Sequence, residues 1–204
     1  MYSLFYNYHL LGDVLLIIIE NDKKPNRVEK KDDVILLFSD DNLIGVNIIN
    51  ISSIVKIKSV GKIVLPADPL IDVINNKLTP LGISPLPYVR DSGFHIGKVV
   101  SLEEHEESSH LHVLKVDVGD QILDIVCGAP NVKLGQKVVV AMVDTVMFDG
   151  TKIVPSTLLG VPSNGMLCSP RELCLENAPA KRGILVLDED AIVGSDFFMI
   201  KGGK

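Results

Sequence analysis

The sequence predicts a mainly β protein in two parts, a small α+β unit followed by a small closed β barrel. Three observations carry that expectation. Val, Ile and Leu crowd a chain of 204 residues that is 47% hydrophobic, only 5% aromatic and without tryptophan, which favours β structure packed by branched aliphatics. Helical spacing is clear near the end of the first part, at residues 68–78. Between Thr79 and Gly93 the breakers Pro80, Gly82, Pro85, Pro87 and Gly93 accumulate. That density suits an extended connection, so the domains are expected at 1–82 and 94–204 with a linker at 83–93.

Taken in order, residues 14–19 (VLLIII) form a β-branched run bounded by Gly12-Asp13 and Glu20-Asn21-Asp22, expected to be a strand buried on both faces. Residues 21–33, polar, of mixed charge and containing Pro25, read as a solvated loop. Residues 34–38 and 43–49 flank Ser39-Asp40-Asp41-Asn42 and predict a hairpin. Residues 54–65 offer another strand. At Asp68-Pro69 the pattern changes: Asp68 can cap, Pro69 suits the first helical position, and Leu70, Ile74 and Leu78 recur at helical spacing, with Gly82 as the stop. Nothing in this first unit has the look of a chemical motif.

The second unit reads as β throughout. Residues 94–102, 112–118, 121–127, 137–143 and 151–154 are expected as strands, with Gly119-Asp120 turning the second into the third. About five strands within a hundred residues suit a small barrel. Ser169-Pro170-Arg171-Glu172 is a capping box with Pro at the first helical position, which predicts a short helix through Leu175. Residues 183–187 return as a strand, and the tail from Ile200 is expected to fray. Residues 125–167 begin with Ile125-Val126-Cys127-Gly128-Ala129-Pro130-Asn131 and close with Gly160-Val161-Pro162-Ser163-Asn164-Gly165-Met166-Leu167. Each end joins a strand to a turn of small polar residues, the arrangement of a binding mouth.

The formal net charge of −6 argues against a protein that holds nucleic acid by bulk charge, so any such binding must come from a local patch. Three cysteines, Cys127, Cys168 and Cys174, without a CxxC pair, point away from a disulfide framework and toward a reducing compartment. Residues 1–11 lack the basic start of a signal peptide, and the run 14–19 is far shorter than the ~20 residues of a membrane helix. A cytoplasmic protein is expected. His105, His110 and His112 are not followed by carboxylate or cysteine ligands at recognised spacing, and Cys127 has no companion base, so neither a metal, a cofactor nor catalysis is expected.

Several ordered motifs resemble a known family. Gly97-Lys98-Val99-Val100, His105 with Leu111, Lys115-Val116-Asp117-Val118-Gly119, the segment 125–132 and the segment 160–167 resemble the tRNA-binding OB-fold domain. That domain occurs at the N-terminus of the bacterial phenylalanyl-tRNA synthetase β chain, in some methionyl-tRNA synthetases and in stand-alone tRNA-binding proteins. With a small unit ahead of it, the whole chain is similar to the stand-alone, YtpR-type proteins. Its length is too short for the synthetase β chain.

The resemblance implies a five-stranded OB barrel with a short helix, a non-catalytic protein, and tRNA as the partner, read by shape and backbone. It implies RNA-binding roles for His105, His110, Lys115, Asn131, Lys133, Ser163, Asn164, Gly165 and Met166. Glu106 stands where the family has a proline after the histidine, and His110 and Leu159 stand where it has basic residues. Lys98, Lys115 and Lys133 remain as cations near the face, and only Phe94 and Phe148 as rings. Three phosphate contacts imply a shallow salt dependence, with a log–log slope of about −2 to −3. The alternative is a protein-interaction or dimerisation module with weak RNA affinity, docking a synthetase or a second copy.

Overall fold

A computed structural model describes residues 2–201, which divide into two units with the boundary between Arg90 and Asp91. The N-terminal unit runs β1 (Ser3–Tyr6), α1 (Tyr8–Leu11), β2 (Val14–Ile18), β3 (Arg27–Lys31), β4 (Val34–Ser39), β5 (Asn42–Ile49), β6 (Gly61–Ile63) and α2 (Asp68–Leu78). Its strands form one antiparallel sheet in the order β3-β4-β5-β2-β1-β6. Leu4, Leu15, Ile17, Leu36, Val46 and Ile48 are buried in one core with Ile71, Ile74 and Leu78 of α2. Strand β2 alternates, with Leu15 and Ile17 buried and Val14, Leu16 and Ile18 half-buried, so it gives one face to the core rather than two.

Strand β3 corrects the loop expected at 21–33. Its residues Arg27, Val28, Lys30 and Lys31 are exposed and it pairs only with β4, so no buried face imprints a hydrophobic period on it. The expected strand at 54–65 shrinks to β6, because Val55 and Ile57 reach the core from irregular backbone. The β4–β5 hairpin turns at Asp40, whose φ of 55° is one that Asp tolerates. Helix α2 is capped one residue earlier than expected, at Ala67, which leaves Asp68 in its first turn facing Arg90 at 2.9 Å. After a 3₁₀ turn at Thr79–Leu81, residues 83–90 lie against this unit. Asn75 Nδ2 donates to the Leu86 carbonyl (3.0 Å), the Leu86 N–H donates to Asn75 Oδ1 (2.7 Å), and the Tyr88 hydroxyl donates to Asp72.

The C-terminal unit contains β7 (Phe94–His105), β8 (Ser108–Asp117), β9 (Ile122–Cys127), β10 (Lys137–Ala141), β11 (Ser156–Leu158), β12 (Val161–Ser163), β13 (Met166–Leu167), β14 (Val186–Leu187) and α3 (Phe197–Lys201). Five strands run in the order β13-β10-β7-β8-β9, and β14 also pairs with β10. The ring closes where the Asn164 N–H donates to the carbonyl of Asp124, on β9, at 2.8 Å. This is the OB-like barrel. Val99, Leu114, Val116, Ile125, Val138 and Val140 fill its inside. Val139 and Ala141 point the other way, into a second core with Phe94, Met147, Ile153, Leu173 and Phe197. Strand β10 is therefore buried on both faces, which is why it reads as an uninterrupted apolar run. Gly97 lies where a Cβ would come within 2.7 Å of the Val116 side chain.

Three expectations change here. The capping box forms, with the Ser169 N–H donating to Glu172 Oε2 (2.7 Å) and the Glu172 N–H to Ser169 Oγ (3.3 Å), but only turns follow. Cys174, at φ 49°, turns the chain out of the helical path. The short helix of the unit is α3 instead. Residues 151–154 contribute only a bridge between Val146 and Lys152. Ile200 and Lys201 belong to α3, and 202–204 lie outside the described residues.

Candidate nucleic-acid interface

The barrel brings together the end of β9, the segment 160–167 and residues 182–184. Segment 160–167 is held there by buried Ser163. Its Oγ accepts the Val126 N–H at 3.1 Å, and its carbonyl accepts the Ser156 hydroxyl. Gly165 follows at φ 136°, a conformation that strains residues with side chains, and a Cβ there would press on the Ala141 carbonyl at 3.1 Å. Met166, half-buried, comes next.

Asn131 pins the other wall. Its amide makes both bonds a strand neighbour would make: Nδ2 donates to the Ile184 carbonyl (3.0 Å) and Oδ1 accepts the Ile184 N–H (2.9 Å). The result is an open cleft of about 210 Å³ between Gly128, Ala129, Met166, Ser169, Arg182 and Gly183. Arg182 is exposed at its edge, and a Cβ on Gly128 would come within 3.9 Å of its guanidinium. The bare backbone of Gly128-Ala129 below a cation suits an anionic, hydrogen-bonding ligand.

The remaining expected residues divide by what their side chains already do. His105 is buried: Nδ1 accepts the Glu107 N–H at 3.1 Å, which leaves Nε2 to donate to the Leu158 carbonyl at 3.4 Å. That bond ties the β7–β8 turn to the β11–β12 hairpin, which turns through Leu159 and Gly160, both at positive φ. Lys115 is exposed on β8 and paired with Asp124 of β9 at 2.8 Å; the hydrogen bond and charge of that carboxylate push its pKa up, keeping it a cation. Asn164 is half-buried, and its backbone closes the barrel. His110 and Lys133 are exposed, and the His110 carbonyl would lie 3.7 Å from a Cβ on Gly128. Among the described residues, His105, His110 and His112 belong to no cluster of three or more potential metal ligands. Asp91, His95 and Asp196 do approach one another within 4.8 Å, but Asp196 already accepts from Ser92, Phe198 and Met199.

Arg182 is the residue that sequence reasoning passed over. Its signal was present: Lys181-Arg182 is an adjacent basic pair between Pro179 and Gly183 in an otherwise acidic unit. Cys127 also lines the cleft, and burial pushes its thiol pKa up, so it stands as an inert wall.

Residues 94–196 match the family described as "Putative tRNA binding domain", and residues 21–86 match a "Domain of unknown function (DUF4479)". The chain is 42% identical over 197 residues to "Putative tRNA-binding protein YtpR" of Bacillus subtilis, covering 95% of this chain and 98% of that protein. It is 39% identical over 146 residues to the phenylalanine–tRNA ligase beta subunit of Lactiplantibacillus plantarum and 45% identical over 127 residues to that of Nitratidesulfovibrio vulgaris. Those matches cover 69% and 60% of this chain but only 18% and 16% of the ligase subunits. Among solved structures, the MetRS related protein from Pyrococcus horikoshii matches 50% of this chain and 85% of its own at 23% identity, with a TM-score of 0.37. The domain match over the barrel, together with likeness to YtpR along nearly the whole of both chains, places this chain in the YtpR family of proteins with a tRNA-binding domain.

Proposed function

We propose that this chain is a non-catalytic, cytoplasmic tRNA-binding protein whose barrel holds RNA by shape and backbone. One observation carries the reading: Gly128, Ala129, Met166 and Arg182 converge on a single polar cleft in a barrel that matches the tRNA-binding family. Arg182 supplies a phosphate contact, the Gly128-Ala129 backbone allows close approach, and Met166 offers an adaptable apolar surface to a ribose or base. Lys115, Lys133, His110 and Asn164 face RNA from the flanking strands and loops. His105, Asn131, Ser163 and Gly165 serve the same function by holding the cleft's walls in place.

A second reading is favoured by charge. Residues 1–90 carry ten basic and ten acidic side chains, whereas residues 91–204 carry ten and sixteen, so the entire −6 belongs to the unit with the barrel. An acidic barrel suits docking to a synthetase or a second copy better than it suits a polyanion. Filter binding of bulk tRNA at two salt concentrations separates the readings. The tRNA reading expects binding that weakens with a slope of about −2 to −3, flattened by nearly one contact in Arg182→Ala. No binding even at low salt would sink it and leave the docking module.

A further inference from the structure

Met166 stands between two clefts. The polar one is bordered by Gly128, Ala129 and Arg182. On its other side lies a second, of about 330 Å³, whose floor is Met147, Phe148, Ile153 and Met166. Glu172 borders both, so the two form one continuous surface. The volume falls at the small end of ligand clefts, about 300–1,000 Å³, enough for one planar ring system and too little for a strand or helix. Phe148 is held by Phe94 and Phe198, at centroid distances of 5.9 and 5.8 Å, so a partner stacking on it would meet a ring already fixed in place. The thioethers of Met147 and Met166 add soft, polarisable walls.

The rim distinguishes the occupant. Arg171 donates through Nε to the Pro179 carbonyl at 3.0 Å, and its two terminal nitrogens lie outside that bond. Asp149 accepts the Thr151 N–H through Oδ1 at 2.9 Å, with Oδ2 outside that bond. Arg171 as donor, and Asp149 and Glu172 as acceptors, thus border one small apolar floor. An aliphatic side chain of a protein partner would dehydrate these groups without replacing their hydrogen bonds, which is costly. The edge of a nucleobase offers donors and acceptors together with a flat face for the ring.

We propose that this second cleft captures one unstacked base of the bound RNA while the polar cleft beside it holds that nucleotide's backbone. The inference rests on the tRNA reading and sharpens it, since it names an unpaired nucleotide as the feature recognised.

Cys174 lies exposed on the rim, whereas Cys127 and Cys168 are buried. In the full-length native chain, N-ethylmaleimide therefore modifies Cys174 selectively. Saturating bulk tRNA is expected to slow that reaction. Thr151→Trp, at an exposed position on the same rim, closes the cleft. It should weaken tRNA binding about tenfold, the scale of one stacked base, with an unchanged salt slope because a base carries no charge. Wild-type protein alkylated at Cys174 should show the same loss, which guards against a variant that merely misfolds. If Thr151→Trp and the alkylated protein bind tRNA as tightly as the unmodified chain, the base-capture idea fails and the tRNA reading stands. If the affinity falls together with the slope, phosphate contacts were lost and base capture is again overturned. If the unmodified chain binds no tRNA at low salt, both readings fall.

Discussion

Each unit contains an asparagine that replaces a missing strand neighbour, and the two clamps differ in what depends on them. Asn75, on α2, makes a pair of bonds to the backbone of Leu86, but Leu81, Ile83 and Leu86 also pack on the core beneath. Asn131 makes the same pair to Ile184, and that clamp forms one wall of the polar cleft, with Arg182 two residues away. A Cβ on Gly183 would lie 2.7 Å from the Asn131 side chain, so the two have been fitted closely. In the N-terminal unit, then, a polar clamp reinforces what apolar burial already holds. In the C-terminal unit it positions the cleft proposed to meet RNA.

The strongest way to break that comparison is to remove both clamps in turn. Asn131→Ala leaves the part-buried Ile184 N–H and carbonyl without partners and should destabilise the barrel by about 2–3 kcal/mol. It should also weaken tRNA binding by releasing Arg182. Asn75→Ala should cost about 1–2 kcal/mol and leave RNA affinity unchanged. All four tyrosines, Tyr2, Tyr6, Tyr8 and Tyr88, lie in residues 1–90, so tyrosine fluorescence during urea unfolding reports the N-terminal unit separately from the circular dichroism of the whole. Equal effects of the two variants on RNA binding would show that Asn131 has no special place in the site.

A smaller effect tests how the N-terminal unit tolerates a buried charge. Burial lowers the pKa of Lys62 on β6 to about 8. Between that value and the ordinary 10.5 the unfolded chain binds a proton that the folded chain does not, so stability rises with pH across this window. Below pH 8 the amine is charged in both states, and the burial penalty is present in full. Lys62→Met should therefore raise stability by about 1–2 kcal/mol at pH 7, with the gain shrinking toward pH 10. A gain independent of pH would point to improved packing instead.

The smallest change in stability is expected on the barrel surface. Lys115 and Asp124 form an exposed pair, so Lys115→Ala should leave the melting temperature unaltered while flattening the tRNA salt slope by about 0.7–0.9. A lowered melting temperature with an unchanged slope would make Lys115 a structural residue and leave Arg182 to contact phosphate without it.

The elements legible in the sequence are those whose burial leaves either an apolar period or an unbroken apolar run: β2, the β4–β5 hairpin, α2 and β7 to β10. Strand β3 escaped notice because its backbone pairs while its side chains stay in water. The capping box at Ser169 forms as its sequence predicts, but the chain leaves the helical path at Cys174, a residue with no breaker signal. The segments that border the proposed site are legible in the sequence; what their side chains bond to is not. Ser163, Asn131 and His105 have the chemistry to touch RNA, and only the fold reveals that their polar atoms are engaged in holding the chain.

The outer strand β3 has one more consequence. An open sheet ends in unpaired N–H and C=O groups that can recruit an unfolded neighbour and seed aggregates. Here one edge carries Arg27, Glu29, Lys30 and Lys31 in five residues, and the opposite edge, β6, is three residues long. Adding a further strand to the charged edge would crowd those side chains, and the short edge offers too few bonds to hold one. The N-terminal sheet should therefore remain soluble and stop at six strands when the protein is concentrated.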